Sequence, residues 1–270
     1  MSIENPELQQ DLIATAHALA DAARIATLRH FRTPGLAADN KLDKGFDPVT
    51  VADREAEAAM RKILAARRPD DAILGEEGGS REGTSGVRWV IDPLDGTVNY
   101  LYGFPVWAVS VAAEVDGEPV VGVVHAPALG TVWRGATGHL AEANGTGIHA
   151  SGCDDLAMAL VGTGFGYEAA VRAAQGEVVA GLLPRVRDIR RAGAAAVDMC
   201  WVAQGVLDAY FERGTHLWDR AAAMVICREA GAQVGGLTGG PASDAMTVAA
   251  APGVYPSLQK ALIEAGVGHE

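Results

Sequence analysis

WVIDPLDGTVNY, residues 89–100, ends an apolar run on two acids. Val87 to Ile91 reads as a strand. Asp92 and Asp95 follow it three residues apart, separated by Pro93 and Leu94, with Gly96 and Thr97 directly behind. Two carboxylates held this close repel each other unless positive charge lies between them. The pattern repeats upstream, where Ala72-Ile73-Leu74 reads as a short strand and Gly75 leads into Glu76 and Glu77. Asp53 and Asp219 each stand where a helix is expected to open. Any one of these acids has a bland explanation, because Asp-Pro and Asp-Gly are turn dipeptides and Asp favours helix starts. Two strand ends that both present paired acids, with no basic residue beside them, are not explained that way.

Outward from this stretch, Leu12, Ala16, Leu19, Ala23 and Ala26 recur at helical spacing and predict a first helix. A second is expected from about Asp53, with Ala56, Met60, Ile63 and Leu64 inward, ending before Pro69. The runs VWAVSVAAEV, PVVGVVHAP and TVWRGATG between Val106 and about Ala136 predict an antiparallel meander, its first two strands joined at Asp116-Gly117. Beyond them the spacing predicts strands over 159–163, 205–212 and 248–251. Helices are expected over 168–183, 194–203, 218–230 and 255–265. Helices with mixed sheets in both parts of the chain imply a layered sandwich with a cleft between an N-terminal α+β half (about 1–150) and a C-terminal α/β half (about 151–270) of a single domain, 1–270.

Composition narrows the partners. The net charge of −12 over 270 residues argues against a nucleic-acid binder, which usually displays a basic face. Cys153, Cys200 and Cys227 are an odd set without CxxC spacing, so a disulfide framework or zinc site is not expected and a reducing cytoplasm is. No signal peptide is expected from MSIENPELQQ, and no membrane partner, since no apolar run reaches the roughly 20 residues that span a bilayer.

A divalent cation accounts for the acids. All-oxygen ligands without histidine or cysteine favour Mg²⁺ or Mn²⁺ over zinc or copper. The alternating acids of a calcium loop are absent. Four or five carboxylates exceed what one Mg²⁺ takes from protein, so more than one ion is expected, with Asp92 and Asp95 on one turn able to bridge two and the Leu94 carbonyl as a further oxygen ligand. Free N–H groups of Gly96 and Thr97, where a helix is expected to start, suit a phosphate oxygen. Metals flanking a phosphate are the arrangement for attack of water on a phosphoester.

Four blocks in order, DPVTVAD (47–53), GEEGG (75–79), WVIDPLDGTVNY (89–100) and WDRAAAMVICREAGA (218–232), resemble the inositol monophosphatase family of Mg²⁺-dependent, lithium-sensitive phosphomonoesterases. RRAGAAAVDMC (190–200) adds to the likeness. The resemblance implies a five-layer αβαβα sandwich of the inositol monophosphatase/fructose bisphosphatase-like kind, a homodimer, and a small phosphorylated alcohol as substrate. It implies Glu76, Asp92, Asp95, Asp219 and the Leu94 carbonyl as metal ligands, with Mn²⁺ able to replace Mg²⁺. It further implies that Asp53 holds Thr97, that Thr97 and Glu76 orient and deprotonate the attacking water, and that Gly96 and Thr97 cradle phosphate. Glu212, with Gly193, Ala194 and Ala195, would meet the alcohol portion.

Two departures bear on substrate. Ala194 replaces a Ser or Thr common in the family, and Lys41 and Lys44 compete for one lysine position upstream of DPVT. Inositol 1-phosphate or a similar polyol phosphate is the expected substrate. The alternatives are histidinol phosphate and, in another class, a regulatory binding protein that keeps the fold. Gly162-Thr163-Gly164-Phe165-Gly166 reads as a turn-rich strand exit, His216 as a surface histidine, and Trp218 as packing under a helix start.

Overall fold

The computed structural model describes residues 5–33, 38–40 and 48–267. Lys41, Lys44 and Asp47 therefore lie outside the described residues. The chain runs α1 (Pro6–His30), β1 (Ala38–Asn40), β2 (Pro48–Thr50), α2 (Val51–Arg67), β3 (Ala72–Gly75), β4 (Gly79–Arg81), β5 (Val87–Asp95), α3 (Thr97–Leu101), β6 (Ala108–Val115), β7 (Glu118–Ala126), β8 (Thr131–Ala136), β9 (His139–Ala143) and β10 (Thr146–Gly147). It continues through β11 (Leu160–Thr163), α4 (Ala169–Leu182), β12 (Asp188–Arg190), α5 (Ala195–Ala203), β13 (Ala209–Glu212), α6 (Leu217–Glu229), β14 (Gln233–Gly235), β15 (Thr247–Ala250) and α7 (Tyr255–Glu264).

Strand alternation sorts these elements into layers. Along β5 and β6, Trp89, Ile91, Val109, Val111 and Ala113 face Leu12, Ala16 and Leu19 of α1 and Met60 and Leu64 of α2. The intervening Val90, Ala108 and Ala112 face α5 and α6 instead. The C-terminal sheet repeats the scheme: Tyr210 and Ala249 pack on the α5–α6 side, whereas Ala209, Phe211, Val248 and Ala250 meet Leu182 of α4 and Leu258 and Leu262 of α7. The order is α1/α2, eight-stranded sheet, α5/α6, five-stranded sheet, α4/α7. This is the expected αβαβα sandwich. The consecutive Ala221, Ala222 and Ala223 are fully buried, and their small side chains let α6 lie close between the two sheets.

The eight-stranded sheet has the order β10-β9-β8-β7-β6-β5-β3-β4, and the other β12-β11-β13-β15-β14. Asp116 and Gly117, with φ of 52° and 84°, close the predicted β6–β7 hairpin, a conformation that matches the twist of the flanking strands. Three local expectations are corrected. β5 does not stop at Ile91; it pairs with β6 as far as Asp95, with a register shift between Asp92 and Asp95 where Pro93 has no N–H to give the ladder. Residues 205–208 are turn rather than strand, held by Asp208, which accepts from Ser151 Oγ at 2.6 Å and Leu160 N at 2.7 Å. The helix expected from Asp53 begins earlier at Val51, capped by Thr50.

Candidate active site

Topology brings the acids together. β3 runs parallel to β5, and β11 parallel to both β12 and β13, so five strand ends point the same way within their sheets. Glu76 follows β3, Asp92 and Asp95 end β5, Phe165–Tyr167 follow β11, Arg191 follows β12, and Glu212 ends β13. The carboxyl ends of parallel strands are where open α/β sheets bind ligands. Here the two sets, joined by Asp219 on the first turn of α6, line one cleft of about 200 Å³.

Three of the acids are anchored by backbone. Asp92 accepts from Leu94 N at 2.8 Å, Asp95 from Ala196 N at 2.8 Å, and Asp219 from His216 N at 2.6 Å. The Asp95 contact sets a carboxylate from the first half on the N-terminus of α5, where the helix dipole favours negative charge. Burial nevertheless dominates: with the charges of Glu212 and Glu76 it lifts Asp95 to about 7. Asp92 is raised well above the ordinary range by burial, then by Glu76, Asp95 and Asp219. Asp219 is raised by burial, then by Asp95 and Glu76, although solvent still reaches it through the cleft. The field in the cleft is strongly negative.

Thr97 sits between the cleft and the interior, 7% exposed. Its hydroxyl lies 3.1 Å from the Leu94 carbonyl and 3.4 Å from Asp53 Oδ1. Asp53 does not line the cleft. It is fully buried behind Thr97, and its other oxygen accepts from Thr50 N at 2.8 Å and Thr50 Oγ1 at 2.5 Å. Burial raises its carboxyl, against the lowering effect of the two Thr50 donors. Beneath this unit Leu94, Tyr100 and Trp107 pack with Phe31; the Tyr100 and Trp107 rings meet edge to face with centroids 5.0 Å apart, and Tyr100 OH donates to Thr27 O at 2.5 Å. The apolar residues of the opening stretch thus fasten its polar ones to α1.

The opposite wall is built around Glu212, which accepts from Tyr210 OH at 2.5 Å. Burial raises its carboxyl, while that hydroxyl and the charge of Arg191 hold it down. Its carboxylate lies directly over the Cα of Gly164, where any Cβ would overlap it. The glycine-rich stretch is therefore more than a strand exit: it makes room for Glu212 and delivers Phe165, Gly166 and Tyr167 to the cleft. Gly193 and Ala195 line the cleft, but Ala194 does not; it is 1% exposed, with its Cβ directed at Gly96 beneath the floor. His216 and Trp218 both line the cleft, their rings 4.7 Å apart. Trp218 also packs against the central core, as expected.

A sequence profile described as the inositol monophosphatase family matches residues 8–268. The chain belongs to the inositol monophosphatase family. It is 47% identical over 228 residues to Mycobacterium tuberculosis inositol-1-monophosphatase SuhB, covering 80% of this chain and 78% of that one. It is 40% identical over 235 residues to the Xylella fastidiosa Nus factor SuhB, covering 83% and 85%. The solved structure of Mycobacterium tuberculosis SuhB superposes with a TM-score of 0.80 at 41% identity, covering 98% of this chain and 99% of the other.

Membership in the inositol monophosphatase family places the chain among phosphatases that are generally metal-dependent. Among the described residues, no three acidic, histidine or cysteine side chains are gathered tightly enough to close around an ion as they stand. The donor chemistry fits a hard divalent cation all the same. Carboxylate oxygens of Glu76, Asp92, Asp95 and Asp219 share one cleft, and the carboxyls of Asp92, Asp95 and Asp219 are raised first by burial and then by neighbouring acids, both of which a multivalent cation offsets. Among the described residues no helix is long and apolar enough to cross a membrane.

Proposed function

We propose that this chain hydrolyses inositol 1-phosphate or a closely similar polyol phosphate with Mg²⁺, for which Mn²⁺ can substitute. The observation that carries this reading is the meeting of Glu76, Asp92, Asp95 and Asp219, from both halves of the chain, in one cleft that also holds Thr97 and Glu212. Two or three ions would be held by those four carboxylates and the Leu94 carbonyl, and when bound they supply positive charge to the phosphate and make water acidic enough to act as a nucleophile near neutral pH. Gly96 and Thr97 N–H groups, at the start of α3, receive phosphate oxygens. Glu76 and the Thr97 hydroxyl orient the attacking water, and Asp53 fixes the hydroxyl from behind. Water adds to phosphorus, the ester P–O bond breaks, and the alcohol leaves with a proton. Glu212, recessed beside Gly193 and Ala195, accepts hydrogen bonds from the alcohol's hydroxyls.

Phosphate release from inositol 1-phosphate, histidinol phosphate, fructose bisphosphate and adenosine 3′,5′-bisphosphate, with Mg²⁺ and with EDTA, tests this reading. Mg²⁺-dependent turnover favouring inositol 1-phosphate is expected, and inhibition by tens of millimolar LiCl but not NaCl. Histidinol phosphate as the best substrate would overturn the polyol assignment, and no Mg²⁺-dependent release would overturn the whole. The name of the Xylella fastidiosa relative, Nus factor SuhB, supports a second reading, in which the same fold also binds a regulatory partner. The two are compatible, because the acids that carry turnover lie inside the cleft and leave the outer surface free. A homodimer in the cytoplasm completes the proposal; light scattering of the purified protein checks the dimer.

A further inference from the structure

Arg191 stands at the alcohol end of the cleft and has no part in the chemistry above. It follows β12 directly, so the parallel order β12-β11-β13 sets it on the same wall as Glu212. Its Cζ lies 5.8 Å from the centre of the Phe165 ring, within range of a cation–π contact. The guanidinium crosses over Gly193, where a Cβ would overlap it. Asn99, from α3, donates to Ala192 O at 2.8 Å and to Val106 O at 2.6 Å, which ties the Arg191–Gly193 segment to the phosphate end of the cleft. The positive charge of Arg191 is felt by two carboxylates, Glu212 and the buried Asp198. Arg191 is therefore a positioned cation facing the acid that meets the substrate.

An acid alone at this end would welcome an ammonium group as readily as a hydroxyl. An acid whose wall already carries the Arg191 guanidinium over Phe165 does not, because an incoming ammonium meets a like charge beside Glu212. Two neighbouring hydroxyls suit the pair better: one donates to the Glu212 carboxylate and the other accepts from Arg191. We propose that Arg191 is a specificity-determining residue that, together with Glu212, admits phosphate esters of neutral polyols and turns away those of amino alcohols. This rests on the phosphatase reading above and names its substrate class. It works by exclusion of the wrong ligand as much as by attraction of the right one.

The test is kcat/KM for inositol 1-phosphate and histidinol phosphate with Arg191→Gln, Arg191→Lys and the unaltered enzyme, each at saturating Mg²⁺. The unaltered enzyme is expected to favour inositol 1-phosphate by at least about tenfold, and Arg191→Gln to shrink that ratio by about tenfold, mainly through KM. Arg191→Lys keeps the charge and is expected to keep most of the preference. A purely structural role for Arg191 would depress both substrates equally and leave the ratio unmoved, which overturns the proposal. A comparison needing no substitution sets glucose 6-phosphate against glucosamine 6-phosphate, which differ at one hydroxyl-to-ammonium position; equal turnover of the two also overturns it. An enzyme that releases phosphate yet prefers the amino alcohol defeats this inference and the polyol assignment but leaves the metal-dependent phosphatase reading standing, whereas one that hydrolyses no ester defeats that reading too.

Discussion

Two helices of this molecule begin in the same way and serve different chemistry. α2 and α6 each carry an aspartate at the third helical position, and each of these accepts the backbone N–H of the residue just before its helix, Thr50 for Asp53 and His216 for Asp219. Asp53 has a second donor in the Thr50 hydroxyl and is sealed behind Thr97. Asp219 opens into the cleft, where its electrostatic neighbours are Asp95, Glu76 and Glu212. The capping bond fixes a rotamer in both cases. Whether the surroundings supply donors or more acids decides if the carboxylate holds a neighbour in place or, on the function proposed above, contributes to a cation site.

The comparison breaks most sharply at Asp219. Asp219→Asn keeps an acceptor for His216 N but removes a charge from the cleft. Phosphatase activity at saturating Mg²⁺ is expected to fall at least about a hundredfold, since the lost electrostatic stabilisation is worth several kcal/mol. The metal-free protein is expected to melt higher than the unaltered one, because one repelling charge has gone. More than a tenth of the original activity, or a lower metal-free melting temperature, would erase the distinction drawn between the two aspartates.

On the other side of the comparison, Thr97→Ala removes the hydroxyl that Asp53 holds. A loss of about ten- to a hundredfold in kcat with little change in KM is expected, as for a group that acts mainly in the transition state. Steady-state kinetics showing a KM effect alone would make Thr97 a binding group. If Thr97 were only the first residue of α3, stability would fall and kcat would hold.

The pH dependence of stability sharpens the contrast further. Asp92, Asp95 and Asp219 have carboxyls raised above their unfolded values, so the folded protein binds protons more tightly there than the unfolded chain does. The stability these groups contribute is present below about pH 4 and is lost as pH rises through the Asp95 value of about 7. Melting temperatures of metal-free protein are therefore expected to fall between pH 5 and pH 8. Added Mg²⁺ is expected to restore about 5–10 °C at pH 8 and less at pH 5. A profile rising towards pH 8 without metal would count against the crowded acids.

The smallest effect is expected at the cap itself. Thr50→Ala deletes a bond to Asp53 and one to Ala52 N, costing about 1–2 kcal/mol in chemical denaturation, with kcat nearly unchanged because the Thr50 N–H still holds Asp53. A large fall in kcat would show that the hydroxyl tunes Asp53 as well as capping α2.

The layers were legible because period-two and period-3.6 patterns are written into β5, β6 and α1, and Glu76, Asp92 and Asp95 because they follow apolar runs. Both are local signals. The different fates of Asp53 and Asp219 were not, since each reads as an acid near a helix start and only the packing of α2 behind α3 separates them. β4 and β10 were missed because they are short and largely exposed, and they gain strand character from neighbours rather than from composition. Arg191 lay in a quoted block, yet its place opposite Glu212 depends on the parallel order of β12, β11 and β13, which no periodicity encodes. Ala194 misled in the other direction: its position in the chain adjoins the cleft while its side chain turns under the floor.

The shared α5–α6 layer has a consequence for the protein's synthesis. From β5 to β10 the first sheet pairs each strand with the next, so its ladder can close soon after the strands emerge. Yet Val90, Ala108, Ala112, Val124, Trp133 and Ala141 on its inner face are covered by helices made only after Ala194. For an interval on the order of ten seconds at ordinary translation rates, the nascent chain carries a paired sheet with one bare apolar side. Shielding of that side on the ribosome is a demand set by the order of elements along the gene, and a chain cut short before α6 is expected to aggregate rather than persist as half a protein.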